Sequence, residues 1–101
     1  MEARIIRVIK TQEGLYDALI DLDGEDGWLI AVPGLIREPD EVLVEEVPDG
    51  IELRLRRGGE GVASCHISRK ALEEGFVTMT CPKGRAWVLR KDSLRRHLGR
   101  L

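Results

Sequence analysis

Four side chains in this sequence have the chemistry of a zinc set: Cys65, His66, Cys81 and His97. Sites of that kind usually declare themselves by paired ligands, a C-x-x-C or two histidines about one helical turn apart. None of the four is paired in that way. Cys65 and His66 are neighbours in a strand pattern, so their side chains point to opposite faces. The same geometry argues against a thiol nucleophile with its base next door. The expectation is therefore no metal, no cofactor and no catalytic centre.

Other polar clusters read as turns. Asp21-Leu22-Asp23-Gly24-Glu25-Asp26 is acidic but lacks the ligand spacing of a calcium loop. Gly58-Gly59-Glu60-Gly61 lacks the Lys and Ser/Thr of a phosphate loop, and with Arg57 reads as a flexible connection. The C-terminal third is different. Lys83, Arg85, Arg90, Lys91, Arg95, Arg96 and Arg100 surround Trp87, and cations around an aromatic can follow a nucleic-acid backbone. Residues 1–52 carry 14 acidic and 4 basic side chains, residues 53–101 carry 4 and 12, and the net charge is −2. The alternative is internal: Trp87 packs in the core and the basic half offsets the acidic half of the same fold.

The elements that must position these residues are strands. Apolar residues make up 43% of the 101 residues and aromatics 4%, so a single domain with a Val/Ile/Leu core is expected. Arg4–Lys10 reads as a first strand buried on both faces. Leu15–Leu22 and Trp28–Val32 form a hairpin over Asp23–Gly27, ended by Pro33-Gly34. Glu41–Val47 and Ile51–Arg56 form a second hairpin over Pro48-Asp49-Gly50. Val62–Ile67 follows. A short helical turn then runs from Ser68 as N-cap to Gly75. Phe76–Cys81 and Arg85–Arg90 pair across Pro82-Lys83-Gly84, and Asp92 or Ser93 caps a basic helix, Leu94–Leu101.

No apolar run is long enough to span a bilayer. Met1-Glu2-Ala3-Arg4 leads into Ile5-Ile6-Arg7-Val8 without a signal-peptide core, so a cytoplasmic setting is expected. Cys65 and Cys81 are then expected as partly buried thiols, with a bridge requiring their strands to pair. Asn is absent, Gln12 is the only Gln, and 34% of residues are charged, a composition that suits a thermophilic source.

Laid end to end, Tyr16–Lys83 resembles the α-crystallin domain of small heat-shock proteins, and more loosely the CS-type co-chaperone domains. Leu19-Ile20-Asp21-Leu22, Asp26-Gly27-Trp28 and Val32-Pro33-Gly34 follow the family's acidic strand, turn and strand ending in Pro-Gly. Val42-Leu43-Val44, Asp49-Gly50 and Ile51–Leu55 follow its next hairpin. Ala71-Leu72-Glu73-Glu74-Gly75-Phe76-Val77 through Cys81-Pro82-Lys83 is similar to its Ala-x-Leu-x-x-Gly-Val-Leu strand and Pro-Lys end, with one residue fewer between Ala and Gly. The long dimer-forming loop strand has no counterpart between Arg57 and Val62. Neither the aromatic-rich arm nor the Ile-x-Ile anchor is matched by the flanking residues.

The resemblance implies an all-β antiparallel sandwich of about seven to eight strands over residues 1–101, with a short C-terminal helix. It implies a non-enzymatic chaperone-like or adaptor role, with a polypeptide client and a homo-oligomer, such as a dimer, as partners. The family's edge groove maps onto Val42, Val44, Val77 and Met79; the same four residues also read as plain core. Nucleic-acid binding through Lys83, Arg85, Trp87, Arg90, Lys91, Arg95 and Arg96 is the alternative function.

Overall fold

Alternating apolar and polar residues, cut at intervals by Gly and Pro, fold this chain into strands joined by short turns. The computed structural model describes residues 1–81 and 84–98. The strands are β1 (Ala3–Lys10), β2 (Tyr16–Leu22), β3 (Trp28–Leu35), β4 (Glu41–Val47), β5 (Gly50–Arg57), β6 (Glu60–Ser68), β7 (Phe76–Cys81) and β8 (Gly84–Arg90). A 3-10 turn, Gly24–Asp26, precedes β3; helix α1 (Arg69–Glu73) joins β6 to β7, and α2 (Lys91–Leu98) follows β8.

The strands form two antiparallel sheets, β1-β2-β3-β8-β7 and β4-β5-β6. Together they make an all-β sandwich with a short C-terminal helix. Its inner faces supply the core: Ala18, Ile20 and Leu22 from β2, Ile30, Val32 and Leu35 from β3, Ile51, Leu53 and Leu55 from β5, Cys65 and Ile67 from β6, Ala86 and Val88 from β8. No polar residue is buried among the described residues. The small sheet sits so that β4 lies against β1 on one flank and β6 against β7 on the other.

One end of the sandwich is plugged. α1 packs against β5, β6, β7 and β8, with Ala71 and Leu72 buried. Ser68 is its N-cap, accepting from the Ala71 N–H at 3.2 Å. Trp28 Nε1 donates to the Leu72 carbonyl at 2.7 Å and ties α1 to the larger sheet.

Four local expectations are corrected. β1 is not buried on both faces: the register shifts between Ile5 and Arg7, so Ile5 and Val8 share the inner side while Ile6 and Ile9 stay 43% and 49% exposed. A bulge breaks the two-residue period that the sequence suggests. β3 does not stop at Pro33-Gly34 but runs to Leu35, because a second register shift lies between Tyr16 and Ala18. Gly34 takes φ 72° there and donates its N–H to Asp17 Oδ1 at 3.0 Å, so the proline falls at a bulge where the ladder loses nothing. Arg57–Gly61 is no flexible loop. Arg57 pairs with Glu60 across Gly58-Gly59, both at positive φ, as a two-residue hairpin requires. Finally, α2 starts at Lys91, three residues before the expected Leu94, and its expected end at Gly99, Arg100 and Leu101 lies outside the described residues.

Candidate functional site

Opposite α1, the sandwich is open. β3 ends here, β5 ends and β6 begins, β7 ends at Cys81 and β8 starts. Between them lies a cleft of about 510 Å³, lined by apolar Val32, Leu35, Leu55, Val62, Ala63 and Cys81 and also by Arg54, Arg56 and Arg85. Among the described residues no acidic side chain lines it. Its volume is that of sites that take small ligands or a few side chains of a peptide.

The cleft opens onto two strand edges. Among the described residues β6 has a ladder partner only in β5, and β7 only in β8. The two edges face each other across the flank, and a disulfide between Cys65 and Cys81 joins them. This overturns the expectation of free thiols. β6 and β7 belong to different sheets, so the strands meet without the hydrogen-bonded pairing that a bridge was expected to require. The bond also removes both sulfurs from the four-residue zinc set. Among the described residues no group of three or more His, Cys, Asp and Glu stands together. Bridges of this kind persist in oxidising compartments and in the disulfide-rich cytoplasm of hyperthermophiles.

The expected groove is divided. Val42 and Val44 lie on β4, against β1, where they line a second cavity with Arg4 and Asp21. Val77 and Met79 lie on β7, against β6 and on the opposite flank. All four are partly buried and pack against the core. Only the Val77/Met79 strand borders the open cleft, through Cys81.

The basic cluster is mostly consumed internally. Lys91 Nζ meets Asp21 Oδ2 at 2.8 Å and also bonds the Gly24 carbonyl. Arg95 bonds the Glu25 carbonyl at 3.0 Å and faces Asp26. Arg90 bonds the Glu73 carbonyl and Arg96 pairs with Asp92. The pair with Lys91 holds the Asp21 carboxyl below its ordinary range. The Lys91 and Arg95 contacts fasten α2 to β2 and the 3-10 turn. On the small sheet Arg54 and Arg56 face Glu45 and Glu41. The opposite charges of the two halves therefore meet within one fold. Trp87 does not pack in the core: it is 44% exposed beside an exposed Arg85. Lys83 lies outside the described residues.

His66 has a role that sequence reading does not assign. It stands opposite Glu52 on the outer face of the small sheet, with Nδ1 2.8 Å from Glu52 and Nε2 3.3 Å from Asp49. The hydrogen bond to Glu52, with the Asp49 charge beside it, raises the His66 pKa. A raised folded value means that the contribution is fully present below the ordinary histidine pKa and disappears as pH rises through the folded one. His66→Gln is therefore expected to lower the urea midpoint at about pH 5.5 and leave it unchanged at about pH 9. An equal loss at both values would mean that the imidazolium contributes nothing.

No helix among the described residues is long and apolar enough to cross a membrane. Comparison with protein-family models, curated proteins and solved structures yields no match.

Proposed function

We propose that this protein is a non-enzymatic polypeptide-binding module, chaperone-like or adaptor, that takes an extended apolar segment into the open end of the sandwich. The observation that carries this reading is the coincidence of this cleft with two strand edges that, among the described residues, lack ladder partners. A strand edge offers backbone hydrogen bonds to any extended chain, and the adjoining cleft selects apolar side chains. The α-crystallin-like order of segments is a second support, with the binding position moved from the four-residue groove to the β6/β7 flank. The nucleic-acid alternative is weakened because Arg90, Lys91, Arg95 and Arg96 already have partners within the chain.

The test is fluorescence anisotropy with a labelled, Val/Leu-rich extended peptide. Binding is expected, and Ala63→Phe, which fills the cleft, should weaken it about tenfold while leaving the melting temperature at or above that of the parent. Absence of binding by the parent protein, together with no suppression of aggregation of a thermally unfolding reporter, overturns the reading.

A further inference from the structure

The outer face of the five-stranded sheet carries an apolar patch that neither the core nor the cleft uses. Strand register defines it. Val77 and Met79 on β7, Ala86 and Val88 on β8, and Ile30 and Val32 on β3 all face inward, so the residues between them face out. Phe76 is directly opposite Leu89, which is opposite Leu29; Thr78 is opposite Trp87, which is opposite Ala31, which is opposite Leu19. Phe76 is 62% and Trp87 44% exposed. Six apolar side chains thus lie side by side across four strands, with two aromatics at the centre and at the β7 edge. Contiguous patches of this kind on a folded chain mark contact surfaces, and Trp and Phe are the residues that anchor them.

We infer that this face is the interface of a homodimer, the second copy packing sheet to sheet against the first. Its charged margins select that occupant. On one side stand Arg4 and Arg7 of β1, exposed and opposite Asp21 and Leu19 of the same outer face. On the other side, where α1 hands over to β7, stand Glu73 and Glu74, both exposed. A two-fold axis running along the strands between β3 and β8 carries each basic margin over toward the acidic margin of the other copy. The apolar centres then meet each other. Such a contact is isologous, so it closes on itself and leaves no surface for further growth. Two sheets packed in this way keep their strands within about 30° of each other. With the axis between β3 and β8 four strands of each sheet overlap, and four seven-residue strands measure roughly 19 by 23 Å. The corrugated accessible surface of that face is of the same order as the roughly 800 Å² per partner of a standard interface. The cleft opens at the end of the sandwich, away from this face, so dimerisation leaves it accessible.

Sedimentation equilibrium from about 1 to 500 μM tests the inference, with a dissociation constant in the micromolar range expected. Trp87→Glu should shift the protein to a monomer at every concentration while its urea midpoint stays within error of the parent. Arg4→Glu and Glu74→Arg should each weaken the dimer about threefold to tenfold, and the double reversal should recover most of the loss, since Arg4 lies in the row of Phe76, next to Glu74. A parent protein that remains monomeric at 500 μM overturns the inference, and so does a dimer that survives both Trp87→Glu and Phe76→Glu.

Discussion

Removing the Cys65–Cys81 bond is expected to cost about 3 kcal/mol of stability, the chain-entropy value for a closed loop of this size. The two cysteines are 16 residues apart. The bond closes β6, α1 and β7 into one loop at the only described flank where β6 and β7 meet without a ladder. In a domain of this size each kcal/mol shifts the melting temperature by roughly 4–8 °C, so Cys65→Ala/Cys81→Ala should melt roughly 12–24 °C below the parent. Calorimetry of the double variant measures this, and the parent in excess reductant should show the part of the shift that comes from the cross-link alone. Cys65 is 3% exposed and sits in the core, so alanine there also loses packing. Comparing reduced parent with variant separates the two contributions, because reduction keeps the sulfur atoms in place. A double variant within 1 kcal/mol of the oxidised parent would show that the sheets hold together at this flank without the bond.

The bond also reaches the cleft. Cys81 is both a cleft residue and one end of the bridge. Sequence spacing alone does not reveal this, since it fixes no distance between strands of different sheets. What the sequence does encode is local. In Tyr16–Leu22 and Ile51–Arg56 one alternating set faces the core, Tyr16, Ala18, Ile20 and Leu22 in the first and Ile51, Leu53 and Leu55 in the second, while Leu19 on β2 and Leu43 on β4 are apolar residues that point outward. The Ser68 cap and the short helix after it are equally legible, because a side-chain cap is a contact three residues long.

The failures share one physical cause: they depend on which edges meet. Val42, Val44, Val77 and Met79 have the right types for a groove. Strand order nonetheless sends β4 to the β1 flank and β7 to the β6 flank. Bulges are the other blind spot. One inserted residue at Ile6 inverts the parity of β1, and nothing in Ile5-Ile6-Arg7-Val8 marks it. Trp87 is ambiguous in sequence for a related reason. Ala86 and Val88 alternate with Trp87 and Leu89, so β8 is apolar on both faces. Only the partners across the ladder decide that the smaller residues face in. That two-sided pattern is itself a signal, shared by Phe76 and Val77, of a sheet with apolar residues on its outer face.

Gly50→Ala is expected to be strongly destabilising: with Gly27, Gly50 is one of two described glycines at which an added methyl group would overlap backbone. Gly50 opens β5, paired with Val47 on β4 and Ser68 on β6, so three strands converge on it. A Cβ there would overlap the Ile67 carbonyl oxygen and stand 2.9 Å from the Ser68 Cα. Both neighbours are backbone, and neither can turn aside as a side-chain tip would. The strand must therefore shift, and the adjacent Ile51 and Ile67 are fully buried. Overpacking of this kind costs about 1–3 kcal/mol, and the absence of any yielding atom puts the expected loss near the top of that range. Gly58→Ala provides the contrast. Gly58 has φ 58°, but an added methyl group would meet nothing within 4 Å. Only the left-handed backbone penalty of about 1 kcal/mol then applies. Urea midpoints of the two variants, measured side by side, distinguish crowding from conformational preference. Equal losses would place the demand for glycine at position 50 in the backbone angle rather than in the convergence of the three strands. The same crowded junction supports α1, whose first residue Arg69 donates its N–H to the Asp49 carbonyl at 2.7 Å. Gly50→Ala should therefore also loosen the plugged end of the sandwich, seen as faster amide exchange through α1, while exchange of the Ala18 and Ile20 amides in β2 changes only by the global loss of stability.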